Sequence, residues 1–493
     1  MDTLSIGSVI FLILAIGMAL GFEFVNGFHD TANAVATVIY TRSLRPWVAV
    51  IWSGCWNLIG VLTSTGLVAF GILALLPVEL VLNVGSGAGF AMVFALLISA
   101  IIWNLGTWYL GLPASSSHTL IGSIVGVGLA NSLIAKGHTF GDGVNWGKVE
   151  QTFQALLISP LVGFTCSALL LVLMKILIRK PELYTEPPKD VPPPWWIRSL
   201  LVLTCTGVSF AHGSNDGQKG MGLLLLIVIG VLPASYALNL GASAASLRTT
   251  ETTAVTIEAI LQQHAASGSV SDAQARDILN AYLKSTGTAS TDTFRAAAAI
   301  NTVIITALGD KTALSDIPSA ARSGLRSDIY LVGAALDKLC KTGVVTDAGE
   351  KKALGAYKKK QLDPLTQFIP LWIKISVAVA LGLGTMIGWK RIVTTIGEKI
   401  GKSHLTYGQG ASAELVAMAT IEAADIYGLP VSTTHVLSSG IAGTMVANRS
   451  GLQAATLRNI VLAWVLTLPV CVILGSVTFS GALYVAFHVF GIK

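Results

Sequence analysis

Charge is scarce in this chain. Of 493 residues only 12% are Asp, Glu, Lys or Arg, against roughly a quarter in an average soluble domain. That deficit excludes a soluble enzyme. Cysteine is scarce as well. Cys55, Cys166, Cys205, Cys340 and Cys471 show no paired spacing, which excludes a disulfide framework and a thiolate metal site. No Walker-type phosphate loop occurs, so the chain does not drive anything by its own ATP hydrolysis. No basic stripe interleaved with aromatics occurs, so nucleic acid is not a partner. No enzymatic activity, no cofactor and no resident metal ligand are expected.

What is present is apolar. The chain is 53% hydrophobic, its mean hydropathy is +0.69, and runs of about 20 residues, enough to cross roughly 30 Å of hydrocarbon, recur along it. Lipid is therefore its surroundings, and a multi-pass protein of the cell membrane is expected. The run from Leu4 to Phe24 lacks the basic flank and cleavage site of a signal peptide and reads as a membrane helix.

Helical spans are predicted at about 5–24, 47–72, 88–110, 153–178, 196–212, 220–238, 367–389, 405–427 and 458–480. Shorter apolar segments opening in polar, Gly-rich turns, at 27–40, 111–130, 213–220 and 428–447, predict broken or re-entrant helices. Residues 239–365 change character, with mixed charge and apolar residues at helical spacing. They predict an extramembrane helical insert. The Pro-rich stretch 179–195 reads as a stiff linker.

Two motifs each occur twice. Gly27-Phe28-His29-Asp30-Thr31-Ala32-Asn33 is echoed by Gly213-Ser214-Asn215-Asp216-Gly217-Gln218-Lys219, both fitting G-x-x-D. Gly111-Leu112-Pro113-Ala114-Ser115-Ser116-Ser117-His118 is echoed in register by Gly428-Leu429-Pro430-Val431-Ser432-Thr433-Thr434-His435. The separations are 213 − 27 = 186 and 428 − 111 = 317, and they differ by 317 − 186 = 131, about the length of the insert. The second half is thus the first half plus one insertion. The predicted fold is all-α and polytopic, with two inverted-topology repeats of membrane helices and an extramembrane helical insert. Residues 1–178 form the first repeat, and 196–238 with 366–493 the second. Such repeats are a common build of secondary transporters, whose substrate sits near the midplane where they meet.

The G-L-P-x-S-[ST]-[ST]-H segment supplies a Gly, a Pro pre-set for a first helical turn, and hydroxyls beside unpaired backbone N–H groups. Ser115, Ser116 and Ser117, meeting Ser432, Thr433 and Thr434, could surround a tetrahedral oxyanion with neutral donors and helix-dipole ends. Plain capping is the bland role of such residues; duplication in register favours the anion. Asp30 and Asp216 lie at breaks in apolar sequence, where an ionisable residue signals function. Beside an oxyanion they would accept its protons, which favours hydrogen phosphate over sulfate, or hold a cation or a coupling proton. Glu23, Glu422 and Asp425 are weaker candidates, and Glu414 is preferred among the remaining acids for coupling. His118 and His435, at matching positions, together with Asn104 and Thr107, are as readily packing residues.

These paired motifs resemble the signatures of the inorganic phosphate transporter family, the Pit/PiT symporters. Asn26–Tyr40, Trp103–Gly122 and Thr394–Lys402 are most similar to the bacterial low-affinity Pit members. The resemblance implies phosphate import by symport with protons, with a divalent metal such as Mg carried in a neutral complex with phosphate. Sodium coupling is the alternative, and a phosphate sensor a more distant one. Sodium-coupled members read close to G-A-N-D-x-x-N in both halves; here His29 and Lys219 stand in place of Asn. An ammonium at a cation site can replace sodium, so proton coupling is expected. Lys219 is then the tethered cation, and Asp30, Asp216 or Glu414 the proton carrier, with Asn33, His29, Asn215 and Gln218 as further site candidates. A homodimer is compatible with the sequence. The basic pairs Arg42/Arg45 and Arg179/Lys180 predict cytoplasmic loops and an outside N-terminus.

Overall fold

The computed structural model describes residues 6–76, 86–134, 140–142, 144–188, 191–284, 287–309 and 311–488, without the side chains of 31–33 and 486–487. Asn33 is among these, so its predicted role falls outside the described side chains. The fold is helical, and no β-strand forms among the described residues. In the first half run α1 (Ile6–Tyr40), α2 (Pro46–Thr63), α3 (Leu67–Leu73), α4 (Gly87–Tyr109), α5 (Ser116–Ile134) and α6 (Trp146–Leu177). Next comes α7 (Trp195–Val231), followed by α8 (Ala244–Gln263), α9 (Asp272–Leu283), α10 (Thr291–Leu308), α11 (Ser319–Lys341) and α12 (Ala348–Tyr357). The chain ends with α13 (Leu371–Met386), α14 (Tyr407–Ile426), α15 (Thr433–Ala447) and α16 (Ala454–His488). By length and composition α1, α2, α4, α5, α6 and α16 can each cross a membrane.

Two predicted breaks do not exist. The segments 27–40 and 213–220 lie inside single helices of 35 and 37 residues. Neither helix contains Pro, and a helical Gly costs only about 1 kcal/mol, so a polar patch there does not end the helix. The breaks at 111–115 and 428–432 are real. Gly111 and Gly428 take left-handed φ of 68° and 64°. In one half Leu112 N–H reaches Thr107 O at 2.9 Å and Gly111 N–H reaches Trp108 O at 2.9 Å; in the other, Leu429 N–H reaches Ala424 O at 2.9 Å and Gly428 N–H reaches Asp425 O at 3.0 Å. Both helices thus end in a Schellman motif, and the Pro that follows prevents continuation. The predicted span 47–72 is interrupted at 64–66, where Gly66 has φ 89°.

The glycines of G-x-x-D serve close helix approach. A Cβ on Gly27 would collide with Leu381 O of α13, and one on Gly384 of α13 with Phe24 O of α1. The second half repeats the arrangement: Gly213 abuts Asn57 O of α2, and Gly60 of α2 abuts Phe210 O of α7. α1 and α7 cross antiparallel, since Gly220 lies against Glu23 while His212 lies toward Asp30.

Two apolar clusters fill the membrane part. Along α1 the first includes Phe22 and the second begins at Ala34; along α7 the second includes Ala211 and the first resumes at Met221. Between them, on both helices, lies a buried polar seam.

One end of the bundle gathers basic residues. Arg198 Nε of α7 donates to Ser43 O at 2.7 Å, which joins the start of α7 to the Arg42/Arg45 loop, and the charges of Lys175 and Arg449 interact. Residues 239–365 emerge at the opposite end of α7. There α8–α12 build a core of their own, which includes Ile257, Leu279, Phe294, Val332 and Leu336. Arg326 ties this unit to the segments that join it to α7 and α13, donating to Ala237 O at 3.2 Å and Thr366 O at 3.0 Å. Burial pushes its guanidinium down to about 10.

Candidate functional site

The seam brings four segments together. Asp30, 2% exposed, accepts hydrogen bonds from both hydroxyl triplets: Thr434 Oγ1 donates to Oδ1, and Ser116 Oγ donates to Oδ2 at 3.0 Å. His29 Nδ1 stands 3.2 Å from Asp30 Oδ1, and its Nε2 3.2 Å from Thr107 Oγ1. Asp216, 0% exposed, is held differently. Lys219 Nζ lies 2.9 Å from its Oδ1, and His212 Nε2 3.4 Å from its Oδ2. Ser116 joins the two acids, being 3.5 Å from Asp216 Oδ2 and accepting from Lys219 Nζ at 3.0 Å. His212 also lies 4.0 Å from Asp30 Oδ2, and its Nδ1 is 3.0 Å from Asn57 Oδ1. Removing an ammonium and two carboxylates from water is costly unless they meet partners, and here they meet one another.

The triplets divide their labour. Ser115 Oγ accepts from His118 N–H at 3.2 Å, and Ser432 Oγ from His435 N–H at 3.1 Å. These two are helix caps, the bland role of a serine at such a place. The second and third hydroxyls face the seam or the opposite half: Ser116 and Thr434 reach Asp30, and Ser117 Oγ donates to Val431 O at 2.7 Å. Thr433 Oγ1 is buried without a hydrogen-bond partner. The N-termini of α5 and α15 thus approach each other. The His118 and His435 rings are 4.7 Å apart, and His435 stacks on Trp464 at 4.1 Å. The positive ends of both helix dipoles and the Lys219 ammonium converge on one buried volume.

Several predicted residues lie elsewhere. Glu414 is fully buried but takes a hydrogen bond from Thr204, toward the basic end of α7, not from the Asp30 cluster. Gln218 occupies another face of α7, bonded to Asp425 and to Val68 N–H. Asn215 Nδ2 donates to Leu429 O at 3.3 Å, leaving its Oδ1 unpartnered. His212 escaped the sequence reading. The repeat offset held a signal, because 212 − 186 = 26 and Asn26 is polar and buried. No resident metal ligand was expected, yet Asp30, His212 and Asp216 offer ligand atoms within 4.8 Å of one another.

Together these features define a polytopic helical membrane protein whose buried polar site lies where α1, α7 and the N-termini of α5 and α15 meet. The chain belongs to the phosphate transporter family, whose profile matches residues 26–475. It is 42% identical over 490 residues to the low-affinity inorganic phosphate transporter PitA of Escherichia coli (strain K12), covering 96% of each chain. It is 41% identical over 506 residues to PitB of the same organism, covering 98% of this chain and 97% of that one. The low-affinity inorganic phosphate transporter of Buchnera aphidicola subsp. Acyrthosiphon pisum is 39% identical over 481 residues, with 96% of each covered. The solved structure of a sodium-dependent phosphate transporter, 18% identical, superposes with a TM-score of 0.52 over 96% of this chain and 99% of that one, and bears on the fold alone. The chain is a phosphate transporter and not an enzyme.

Proposed function

We propose that the chain imports inorganic phosphate across the inner membrane by symport with protons. The observation that carries this reading is Lys219, whose ammonium sits beside Asp216, with Ser116 linking it to Asp30. A tethered cation there takes the place a sodium ion would need. Phosphate would bind among Ser116, Ser117, Thr433 and Thr434 at the facing N-termini of α5 and α15, with Lys219 as counter-charge. Asp30 would accept a proton of the substrate, which discriminates against sulfate. Where a divalent metal travels with phosphate as cargo, Asp30, His212 and Asp216 are the residues suited to meet it.

The antiparallel crossing of α1 and α7, and the matched contacts of Gly27 and Gly213, support two inverted repeats, 1–178 and 196–238 with 366–493, interrupted by the insert at 239–365. The basic end at Arg42, Arg45, Arg179 and Lys180 would face the cytoplasm.

The test is uptake of labelled phosphate into proteoliposomes under an inward proton gradient, sodium-free, with and without magnesium. Proton-driven accumulation supports the reading, and magnesium dependence identifies the cargo. Uptake that requires sodium and ignores the proton gradient overturns the coupling.

A further inference from the structure

We propose that Glu23 is the residue that takes up the coupling proton, and that Lys219 links it to phosphate. This rests on the proton-coupled reading above. Glu23 is 0% exposed and lies in the seam two turns from Asp30, on the side of the insert. Its Oε2 accepts from Asn26 Nδ2 at a long 3.4 Å, and its other hydrogen-bond contact is with the Gly220 backbone. Gly220 makes room for it, since a Cβ there would collide with Glu23 Cγ. Asp30, by contrast, accepts from Ser116 and Thr434, and Asp216 is ion-paired with Lys219.

The charges acting on Glu23 from α7 are Lys219 and Asp216. Neither α2 nor α4 carries a charged residue, and the one on α13, Lys374, donates to Ser64 O at 2.8 Å. Among the described residues, Lys219 is the cation whose charge acts on the Glu23 carboxylate. When phosphate oxygens engage that ammonium, its field over Glu23 is neutralised. A proton from the outer solution then binds a Glu23 oxygen, because an uncompensated buried carboxylate is costly. When phosphate leaves inward, Lys219 again favours the carboxylate and the proton follows. Binding free energies are reciprocal, so the proton equally favours phosphate binding.

The test is Glu23→Gln in proteoliposomes, measuring phosphate exchange without a gradient beside accumulation under a proton gradient. Exchange within about threefold of wild type, with proton-driven accumulation reduced at least tenfold, is the expected result. Equal proton drive in the variant and wild type overturns this role alone; absence of proton drive in the wild type overturns the coupling reading itself. Loss of exchange together with drive in a folded variant overturns the role too, by making Glu23 a binding residue. Should E23Q not fold, Glu23→Asp must shift the pH profile of uptake while leaving maximal exchange intact, and an unmoved profile overturns the proposal.

Discussion

Lys219 and Asp216 lie one turn apart on the same helix, their side chains 1% and 0% exposed, with ammonium and carboxylate 2.9 Å apart. Each is the means by which the other tolerates burial. Removing one partner of such a pair strands a buried charge. Lys219→Gln is expected to lower proton-driven phosphate uptake at least tenfold, and Lys219→Arg not to restore it, since a planar fork does not replace a point charge. Initial rates in proteoliposomes check both, and wild-type rates in K219Q would remove Lys219 from the site.

The hydroxyl triplets predict a split between stability and binding. Ser432 caps α15, so Ser432→Ala is expected to cost about 1 kcal/mol of stability with little change in KM. Thr434 donates into the site. Thr434→Val is expected to raise the KM for phosphate about tenfold, which corresponds to about 1.4 kcal/mol. Thermal unfolding in detergent and uptake kinetics separate the two effects, and identical profiles for both variants would refute the division.

The candidate site was legible in the sequence where chemistry repeats at fixed spacing, and illegible where it depends on how helices cross. Asp30, Asp216 and both triplets announced themselves because G-x-x-D and G-L-P recur in register. The helix through Gly27 and Asp30 was misjudged because a polar patch in an apolar run looks like the end of a span. In a bundle the same residues face other helices and the helix continues. Proline, with Gly before it, marked the breaks at 111–115 and 428–432. His212 was missed because its contact with Asp30 arises only from the antiparallel crossing of α1 and α7. The place of Glu414 was illegible for a similar reason: burial could be read from its surroundings in the chain, but not that Thr204 would be its partner.

Orientation gives a third prediction. α7 starts beside the Arg42/Arg45 loop and ends at the insert, so the insert faces outward if the basic end is cytoplasmic. Ser271 of the insert and Lys402 of the basic end are both exposed. In intact cells, a membrane-impermeant maleimide is expected to label Ser271→Cys and to spare Lys402→Cys until the cells are opened. The reverse pattern would invert the assignment.

The glycines test whether the two halves are built alike. Gly27 and Gly213 each meet the backbone of a helix from the opposite half, so a methyl group cannot be accommodated by turning a side chain. Overpacking of this kind costs roughly 1–3 kcal/mol, and both sites lie next to the acids that form the polar seam. Gly17, on the same helix as Gly27, has open space where its Cβ would be. Ala there is expected to be neutral or stabilising by up to about 1 kcal/mol, the helix-propensity difference. Gly27→Ala and Gly213→Ala should therefore lower thermal stability and phosphate uptake by similar amounts, while Gly17→Ala lowers neither. A large difference between G27A and G213A would mean that the two crossings, matched in sequence, do unequal work in the fold.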